Sequence, residues 1–447
     1  MQTNDFSNLP TLWQIKTLKS FGIFIRGVSY KKEQLLKEKT TNSVFLLRAN
    51  NIQEKLDLAD LQIVPKELAD GKIVQDNDII FAMSSGSRHI VGKNIILQNL
   101  QDYSFGAFCG LFRITNKDLN SHYLAYFLQS DFYRKYIVKF AKGTNINNVR
   151  FNDLENLQIP LPPLEIQKRI VARLERAFEK IEKGSAHLQD AKTKLAKYKQ
   201  SLLKSAFDGT LTAAASLRGV EKAETIHKVD CHDLTSSNLA MTDKENPKLP
   251  QGWTIKTLGE VFKVVGGGTP STAKTEFWNG NIAWITPADL SNHNDKFISQ
   301  GKRNISEKGL KNSSARLVPK GTILFSSRAP IGYVAIASNQ LCTNQGFKNL
   351  IPNKNVSSEF VYYYLLNSKN LAESYASGTT FKEISAKSFS KLPIPLPPLE
   401  IQKQIVKLLE KHLQHADKTG EFIESALNKA KQLKQSLLKS AFLGKLT

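Results

Sequence analysis

No apolar run in this chain approaches the length that spans a bilayer, and the N-terminal MQTNDFSNLP lacks a basic segment followed by an apolar one. Membrane-spanning and leader-directed classes are therefore not expected. Cysteine is scarce: Cys109, Cys231 and Cys342 are odd in number and far apart, which argues against a disulfide framework and fits a reducing compartment. A soluble, cytoplasmic protein is the expectation. Acidic residues are also short, at 40 Asp+Glu against 62 Lys+Arg, leaving a net charge of +22. Such an excess favours a polyanionic partner, most often nucleic acid and less often an anionic membrane surface. The plainer alternative is a basic protein with no such partner.

Enzymatic signatures are missing as well. The prolines of PLPPLE have no Asn before them, so the Asn-Pro-Pro-aromatic motif of adenine methyltransferases is absent. The run GSRHIVGKN, Gly86 to Asn94, has the outline of a phosphate loop. Its first glycine is one residue too far from Gly92-Lys93, however, and Asn94 replaces the Ser or Thr that would hold magnesium. It reads as a basic loop. His227, Cys231 and His232 lie close together, but structural zinc wants four ligands and Asp230 or Asp233 would have to be improvised. No metal site is expected.

What the chain does have is an internal repeat. IPLPPLEIQK occurs at Ile159–Lys168 and at Ile394–Lys403, an offset of 235, and KQSLLKSAF at Lys199–Phe207 and Lys434–Phe442 keeps that offset. So do Gly143-Thr144 and Gly378-Thr379. Further upstream, LPTLWQIKTL at Leu9–Leu18 matches LPQGWTIKTL at Leu249–Leu258 at an offset of 240. The second copy therefore holds five extra residues in its first portion and none in its second. One portion tolerates insertion; the other is fixed in length.

Each copy reads as a globular block followed by a long helix. Short β-type runs (VFLL from Val44, DIIFAM from Asp78, TILFSS from Thr322, YVAIA from Tyr333) are punctuated by Gly, Asn and Ser turns. A helical stretch follows in each, SHYLAYFLQSDFYRKYI from Ser121 and SSEFVYYYLLNSKNLAESY from Ser357. The block is thus of mixed α+β class. PLPPLE then switches the chain into helix, with Pro163 and Pro398 expected at the first helical position and Glu165 and Glu400 near the positive helix end. Beyond it, Val171, Leu174, Phe178, Ile181, Leu188, Leu195 and Leu202 fall three and four residues apart. Val406, Leu409, Leu413, Ala416, Ile423, Leu427, Ala430 and Leu437 do the same. This is a heptad seam, interrupted by Ser185, Gly420, Lys192, Lys199 and Lys434. Gly209 and Gly444 stand where a C-cap is expected. About 44 residues at 1.5 Å each make a helix of roughly 65 Å. Its obvious partner is the other helix of the same length; an unrelated protein is the alternative.

Homologous blocks in one chain commonly pack about a pseudo-two-fold axis, which would make the helices antiparallel and match the dyad of duplex DNA; a parallel arrangement is the alternative, but it loses that match. The segment Ala213–Lys248, with five basic and six acidic side chains, is long enough to return the chain along the first helix. The blocks differ strongly in sequence while the helices are nearly the same. Unlike heads on equal spacers predict two different half-sites separated by a fixed, unread gap.

These residues resemble the specificity subunits of type I restriction-modification systems. The resemblance covers nearly the whole length. It is carried by the doubled PLPPLEIQK and QSLLKSAF, by GGGTPSTAKTEFWNGNIAWITPADL (Gly266–Leu290) and SGTTFKEISAKSFSKLPIPLPPLEIQK (Ser377–Lys403), and by LRANNI with IIFAMSSGSR in the first block. The resemblance implies two target-recognition domains joined by two long helices that form an antiparallel coiled coil, an α+β fold with an internal pseudo-two-fold repeat. The expected boundaries are 1–156 and 249–391 for the recognition domains, 157–212 and 392–447 for the helices, and 213–248 for the linker. It further implies a non-catalytic chain in complex with two methyltransferase subunits and with motor-nuclease restriction subunits. S-adenosylmethionine, ATP and Mg would serve those partners, and this chain would bind no cofactor. The first block lacks the GGTPS loop of the second, so loop roles do not transfer between blocks.

For DNA contact, Arg and Lys neutralise phosphates, while Arg, Asn and Gln pair with base edges. The candidates are Arg48, Asn50, Asn51, Ser85, Ser87, Arg88 and Lys93 in the first block. In the second they are Thr269, Ser271, Lys274, Thr286, Ser327 and Arg328. Gly266–Gly268 fits a backbone contact or a plain turn. Trp278 and Trp284 could stack on nucleotides, although Trp284, within the apolar IAWIT, fits the core better; Trp13 and Trp253, repeated in LPxxW, read as structural. For partner docking the candidates are the turns that are the same in both copies: Pro162, Pro163, Glu165 and Gln167, with Pro397, Pro398, Glu400 and Gln402. A coiled-coil adaptor that binds nucleic acid non-specifically, or an RNA or membrane surface, explains the helices but not the β-rich blocks. A fused single-chain restriction enzyme lacks its catalytic motifs.

Overall fold

The apolar runs of the sequence become strands covered on both faces. In the computed structural model, which describes residues 6–85, 90–140, 147–212, 249–328, 330–378 and 382–446, eleven strands of the first block fall within residues 14–161. They are β1 (Gln14–Thr17), β2 (Gly22–Arg26), β3 (Ser43–Leu47), β4 (Gln62–Pro65), β5 (Ile79–Ala82) and β6 (Ser84–Ser85). After them come β7 (Asn94–Ile96), β8 (Tyr103–Phe105), β9 (Cys109–Ile114), β10 (Asn147–Asn148) and β11 (Gln158–Leu161). β2, β9, β5 and β7 form an antiparallel sheet in that order; β4, β3 and β8 form a second one, in which β3 and β8 run parallel. Every residue of β5 is buried, as an uninterrupted Ile-Ile-Phe-Ala run requires.

The second block repeats this plan. Its strands are β12 (Thr254–Thr257), β13 (Val264–Gly266), β14 (Trp278–Ile285), β15 (Phe297–Ile298), β16 (Arg303–Ile305) and β17 (Ile323–Ser326). They continue with β18 (Val334–Ala337), β19 (Cys342–Thr343), β20 (Phe347–Leu350) and β21 (Pro393–Leu396). One sheet has the order β13-β20-β17-β18-β15 and the other β16-β14-β19, with β14 and β19 parallel. The helical stretch seen in each sequence copy is split in two: Ser121–Phe127 and Asp131–Val138, then Ser358–Asn367 and Lys369–Ser374. Ser130 Oγ caps the second helix of the first pair by accepting from Tyr133 N–H, and a capping serine starts a helix afresh.

Two repeats that are distant in sequence turn out to be one structural element. β1 pairs antiparallel with β11, and β12 with β21, so the LPxxW segment of each copy is stitched to the strand that enters its own long helix. Those helices run Leu164–Phe207 and Leu399–Phe442, 44 residues each. Both begin one residue later than expected. Pro163 and Pro398 precede the helix, and their carbonyls accept from Gln167 and Gln402 N–H at 3.1 and 3.0 Å. Gly209 (φ 82°) and Gly444 (φ 72°) take the left-handed conformation just past the ends, where a side chain would be strained.

The chain divides into two compact units, residues 1–190 with 423–447 and residues 191–422. In the first unit the opening part of the first long helix packs antiparallel on the closing part of the second. Arg173 Nη1 donates to Leu446 O (3.0 Å), Lys434 lies over the Phe178 ring (5.2 Å), and Lys434 Nζ pairs with Glu182 (2.8 Å). In the second unit Tyr198 bonds His412 (3.2 Å), Lys199 pairs with Asp417 and Leu195 sits against Gly420, so the direction is again antiparallel. Both ion pairs stand at the 235-residue offset, so Lys199 and Lys434 serve the seam that they interrupt by polarity.

Each block is completed by the far end of the helix that the other block begins. Phe442 is fully buried in the first unit, edge-on to Tyr123 (5.2 Å) and Phe127 (5.1 Å). Phe207 occupies the matching place in the second, edge-on to Phe360 (5.2 Å) and Tyr364 (5.3 Å). That socket is the physical reason for the doubled KSAF. Lys296 further fastens the second block to its helix, donating to Glu359 (2.6 Å) and Glu410 (2.5 Å). No helix among the described residues is long and apolar enough to cross a membrane.

Candidate nucleic-acid interface

In each block the ends of three strands converge on one turn. In the first block the turn is Gly106-Ala107-Phe108, between β8 and β9. Gly106 N–H donates to Leu47 O (2.8 Å) at the end of β3, Met83 N–H donates to Phe108 O (2.9 Å) past the end of β5, and Cys109 N–H closes the turn on Gly106 O (2.8 Å). In the second block the turn is Asn344-Gln345-Gly346, between β19 and β20. Asn344 N–H donates to Ile285 O (2.9 Å), Ser327 N–H to Gly346 O (2.7 Å) and Phe347 N–H to Asn344 O (3.3 Å). The two hydrogen-bond patterns coincide residue for residue. A fourth segment joins each: Val149 N–H donates to Met83 O (2.9 Å), and Ile384 N–H to Ser327 O (3.0 Å).

This framework places the candidates. Arg48 and Thr286 are equivalent, since each follows the strand that pairs in parallel with the strand leading into the turn, and each precedes a short helical turn closed by a carboxamide or carboxylate: Arg48 N–H to Asn51 Oδ1 (2.8 Å), Thr286 N–H to Asp289 Oδ2 (2.8 Å). Ser84 and Arg328 are equivalent through their pairing with Asn148 and Glu383. Lys93 O accepts from Ala82 N–H (2.9 Å), and Lys93 Nζ reaches Gln53 (3.0 Å) beyond the exposed Asn50, so Arg48, Asn50 and Lys93 gather near one turn. Ser85 enters this framework through backbone pairing with Asn147. Thr269 reaches the turn of the second block by donating its hydroxyl to Gln345 Oε1. Ser271 and Lys274 are exposed on the loop that follows Thr269. Ser87 and Arg88 lie outside the described residues, as does the 213–248 segment with His227, Cys231 and His232.

Two expected contact residues are interior instead. Asn51 is 1% exposed and spends its amide nitrogen on the carbonyls of Asp57 (2.8 Å) and Asp60 (3.1 Å). Ser327 is fully buried and accepts from Lys348 Nζ (3.1 Å). Neither can meet DNA without unmaking the fold. Trp278, considered for stacking, is buried, covered by the Arg303 guanidinium at 3.6 Å, and donates to Ser271 O (3.1 Å). Trp284 is core, as expected.

The docking turns need the same correction. Gln167 and Gln402 are fully buried. Gln167 accepts from Asn120 N–H (2.8 Å) and donates to Asp118 O (2.8 Å) and Pro162 O (2.9 Å). Gln402 accepts from Ser357 N–H (2.9 Å) and donates to Pro397 O (2.8 Å). Pro162 and Pro397 are buried with them. Their sameness between copies follows from this shared internal lock, which a surface role does not require. Pro163, Glu165, Pro398 and Glu400 are exposed.

The second face offers charge and hydrogen bonding, and the first adds the exposed apolar ring of Phe108 to its charged groups. Arg328 Nη1 lies 3.4 Å from Glu383, which also receives the buried Lys348 (3.4 Å), and Arg48 pairs with Asp60 at 2.5 Å. Burial pushes the Cys109 and Cys342 thiols, next to the two turns, up to about 12, so neither is a nucleophile at neutral pH. Among the described residues, no group of His, Cys, Asp and Glu is arranged to hold a metal ion. What sequence reasoning missed is the turn itself. Phe108, 67% exposed, and the exposed Gln345 stand on the hydrogen-bonded turn of each face. An Asn-Gln-Gly between two β-type runs was the available signal in the second block.

Comparison with known proteins agrees with this architecture. A family model described as type I restriction modification DNA specificity domain matches twice, at residues 10–188 and 250–428. The chain is 30% identical over 457 aligned residues to the type I restriction enzyme StySPI specificity subunit of Salmonella potsdam, covering 98% of this chain and 90% of that one. It is 27% identical to the EcoKI specificity subunit of Escherichia coli K12, with the same coverages. A shorter match, 45% identical over 183 residues, covers 40% of this chain and 42% of the MjaIX specificity subunit of Methanocaldococcus jannaschii. Among solved structures, a chain from a study of assembly and conformational transition of the type I R-M system aligns with a TM-score of 0.72 at 22% identity, over 98% of this chain and 99% of that one. The HsdS subunit from Thermoanaerobacter tengcongensis aligns with a TM-score of 0.57 at 21% identity over the whole of both chains. With both repeats matched and relatives aligned over nearly their full length, the chain belongs to the DNA specificity subunits of type I restriction-modification systems, the non-catalytic members of those systems.

Proposed function

We propose that this specificity subunit reads an asymmetric, interrupted duplex sequence, one half-site per block, with the two long helices fixing the unread gap. The observation that carries this reading is the pair of equivalent faces. Both are built on the same backbone hydrogen bonds, yet Arg48, Ala107 and Phe108 on one correspond to Thr286, Gln345 and Gly346 on the other. One scaffold bearing two unlike sets of side chains suits two unlike half-sites. Helices of equal length, 44 residues each, suit a spacer that does not itself read. The net charge of +22 supports a phosphate-dependent contribution to affinity.

Methyltransferase subunits dock on the helical part, and restriction subunits join them for cleavage. S-adenosylmethionine, ATP and Mg serve those partners. The exposed Pro163, Glu165, Pro398 and Glu400 are the remaining docking candidates from the repeated turns.

Selection of bound duplexes from a randomised pool, with the chain assembled in its complex, tests the reading. Exchanging the first block for that of another specificity subunit should change one half-site and leave the other and the gap as they were. Inserting one heptad in both helices should lengthen the gap alone. Changes in both half-sites on a single exchange, or a gap indifferent to helix length, would refute it.

A further inference from the structure

Gln345 occupies the middle of a turn whose backbone has almost no freedom. Besides the three bonds already described, Gly346 N–H donates to Asn344 Oδ1 (2.9 Å). A Cβ on Gly346 would come within 3.1 Å of both that oxygen and Pro287 Cγ, so the turn is packed as well as bonded. The Gln345 side chain is exposed, but it is not without a tether: the Thr269 hydroxyl donates to its Oε1 and restrains the amide. That leaves one lone pair on Oε1, and among the described residues the amide nitrogen has no protein partner. The free edge thus presents one acceptor and one donor side by side, on a rigid support.

We propose that Gln345 is a specificity-determining residue of the second block, pairing through its amide with the N6 and N7 atoms of one adenine in the major groove; the inference rests on the DNA-reading role proposed above. Adenine offers a donor (N6) beside an acceptor (N7), the complement of a carboxamide, whereas guanine offers two acceptors that would face Oε1 with a lone pair. Thr269 acts as a positioning residue for this contact, which gives the GGGTPS loop of the second block a purpose that the first block lacks. The matching turn of the first block carries Ala107 and the exposed Phe108, which have no such hydrogen-bonding edge. Equivalent turns therefore read by different chemistry, a polar one here and an apolar one there.

The test is selection from a randomised duplex pool, comparing wild type, Gln345→Ala and Gln345→Glu in the full chain assembled in its complex, with melting curves to establish that each variant is folded. Gln345→Ala should lose the adenine preference at one position of the half-site read by the second block. The loss of discrimination should be about 5- to 150-fold, the equivalent of about 1–3 kcal/mol for a bidentate pair. Gln345→Glu should favour cytosine at the same position, because a carboxylate accepts from N4. The first half-site and the gap should stay as in wild type. Preferences unchanged at every position, or an affinity loss spread evenly over all sequences as for a phosphate contact, would overturn the assignment of Gln345 while leaving the DNA-reading role intact. A wild-type complex that chooses among no duplexes would overturn both.

Discussion

Replacing Phe442 by alanine should loosen the first block, although that block lies more than 200 residues earlier in the chain. The ring is fully buried, with Tyr123 and Phe127 edge-on at 5.2 and 5.1 Å. Truncating a buried phenylalanine costs about 3–5 kcal/mol, of which each aromatic pair contributes about 0.5–1.5 kcal/mol. At about 1.4 kcal/mol per decade, the opening equilibrium of the surrounding amides should rise roughly 150- to 5,000-fold. Hydrogen exchange resolved by peptide is the assay, because a chain of two units has no single unfolding transition to follow. Protection should fall in Ser121–Val138 and Leu164–Phe178 and hold in Ser358–Ser374. Phe207→Ala should do the reverse, since its ring lies between Phe360 and Tyr364. If Phe442→Ala loosened 358–374 while 121–138 stayed protected, the pairing of each helix end with the opposite copy's block would be wrong.

Gln167→Ala should destabilise the first unit by a few kcal/mol, because the peptide groups of Asn120, Asp118 and Pro162 lose a buried partner at about 1–3 kcal/mol each before relaxation. Glu165→Ala next to it should stay within about 0.5 kcal/mol; equal hydrogen-exchange protection of the Ser121–Phe127 amides in both variants would contradict the internal lock. Burial holds the Tyr123 phenol well above its ordinary 10.0 and pushes Tyr364 up to about 12. Because the unfolded chain releases these protons first, it binds fewer of them from pH 10 upward, so stability should fall as pH rises through that window. An ultraviolet titration in which every tyrosine ionises near pH 10 with the helices intact would count against it.

Much of the architecture could be read from the chain alone. The identical strings and their common offset located both helices, and the three-four spacing located the seam that Glu182–Lys434 and Lys199–Asp417 flank. Reasons for identity were harder to read. Within PLPPLEIQK, Gln167 and Gln402 close the same internal hydrogen bonds while Pro163, Glu165, Pro398 and Glu400 are exposed, and a repeated string looks alike whether it faces a partner or a core. Asn51 and Ser327 were misplaced for a related reason: a polar side chain in a turn carries no local mark of burial, which depends on Asp57, Asp60 and Lys348 arriving from elsewhere. The two turns leave little local mark in the sequence because their neighbours are distant. β3 and β8 are parallel partners separated by more than 50 residues, and in the first block the turn is apolar, so Phe108 has none of the basic or amide character that marks a DNA contact in a sequence.

The socket for Phe442 also orders events in time. The first block and the start of its helix are synthesised early, but Leu438, Ala441 and Phe442, which complete its core, come from the segment 423–447. At about 5–20 residues per second, the roughly 230 residues between the two parts of that unit take about 12–46 s to make. Throughout that interval the ribosome-bound first block lacks Leu438, Ala441 and Phe442, and the apolar side chains that Phe442 covers, Tyr123 and Phe127, are without that cover. The second block has no such delay, since the helix end that fills it, Leu202 to Phe207, precedes it. The half made first is thus the half finished last, and a chaperone or a nascent partner has its longest opportunity there.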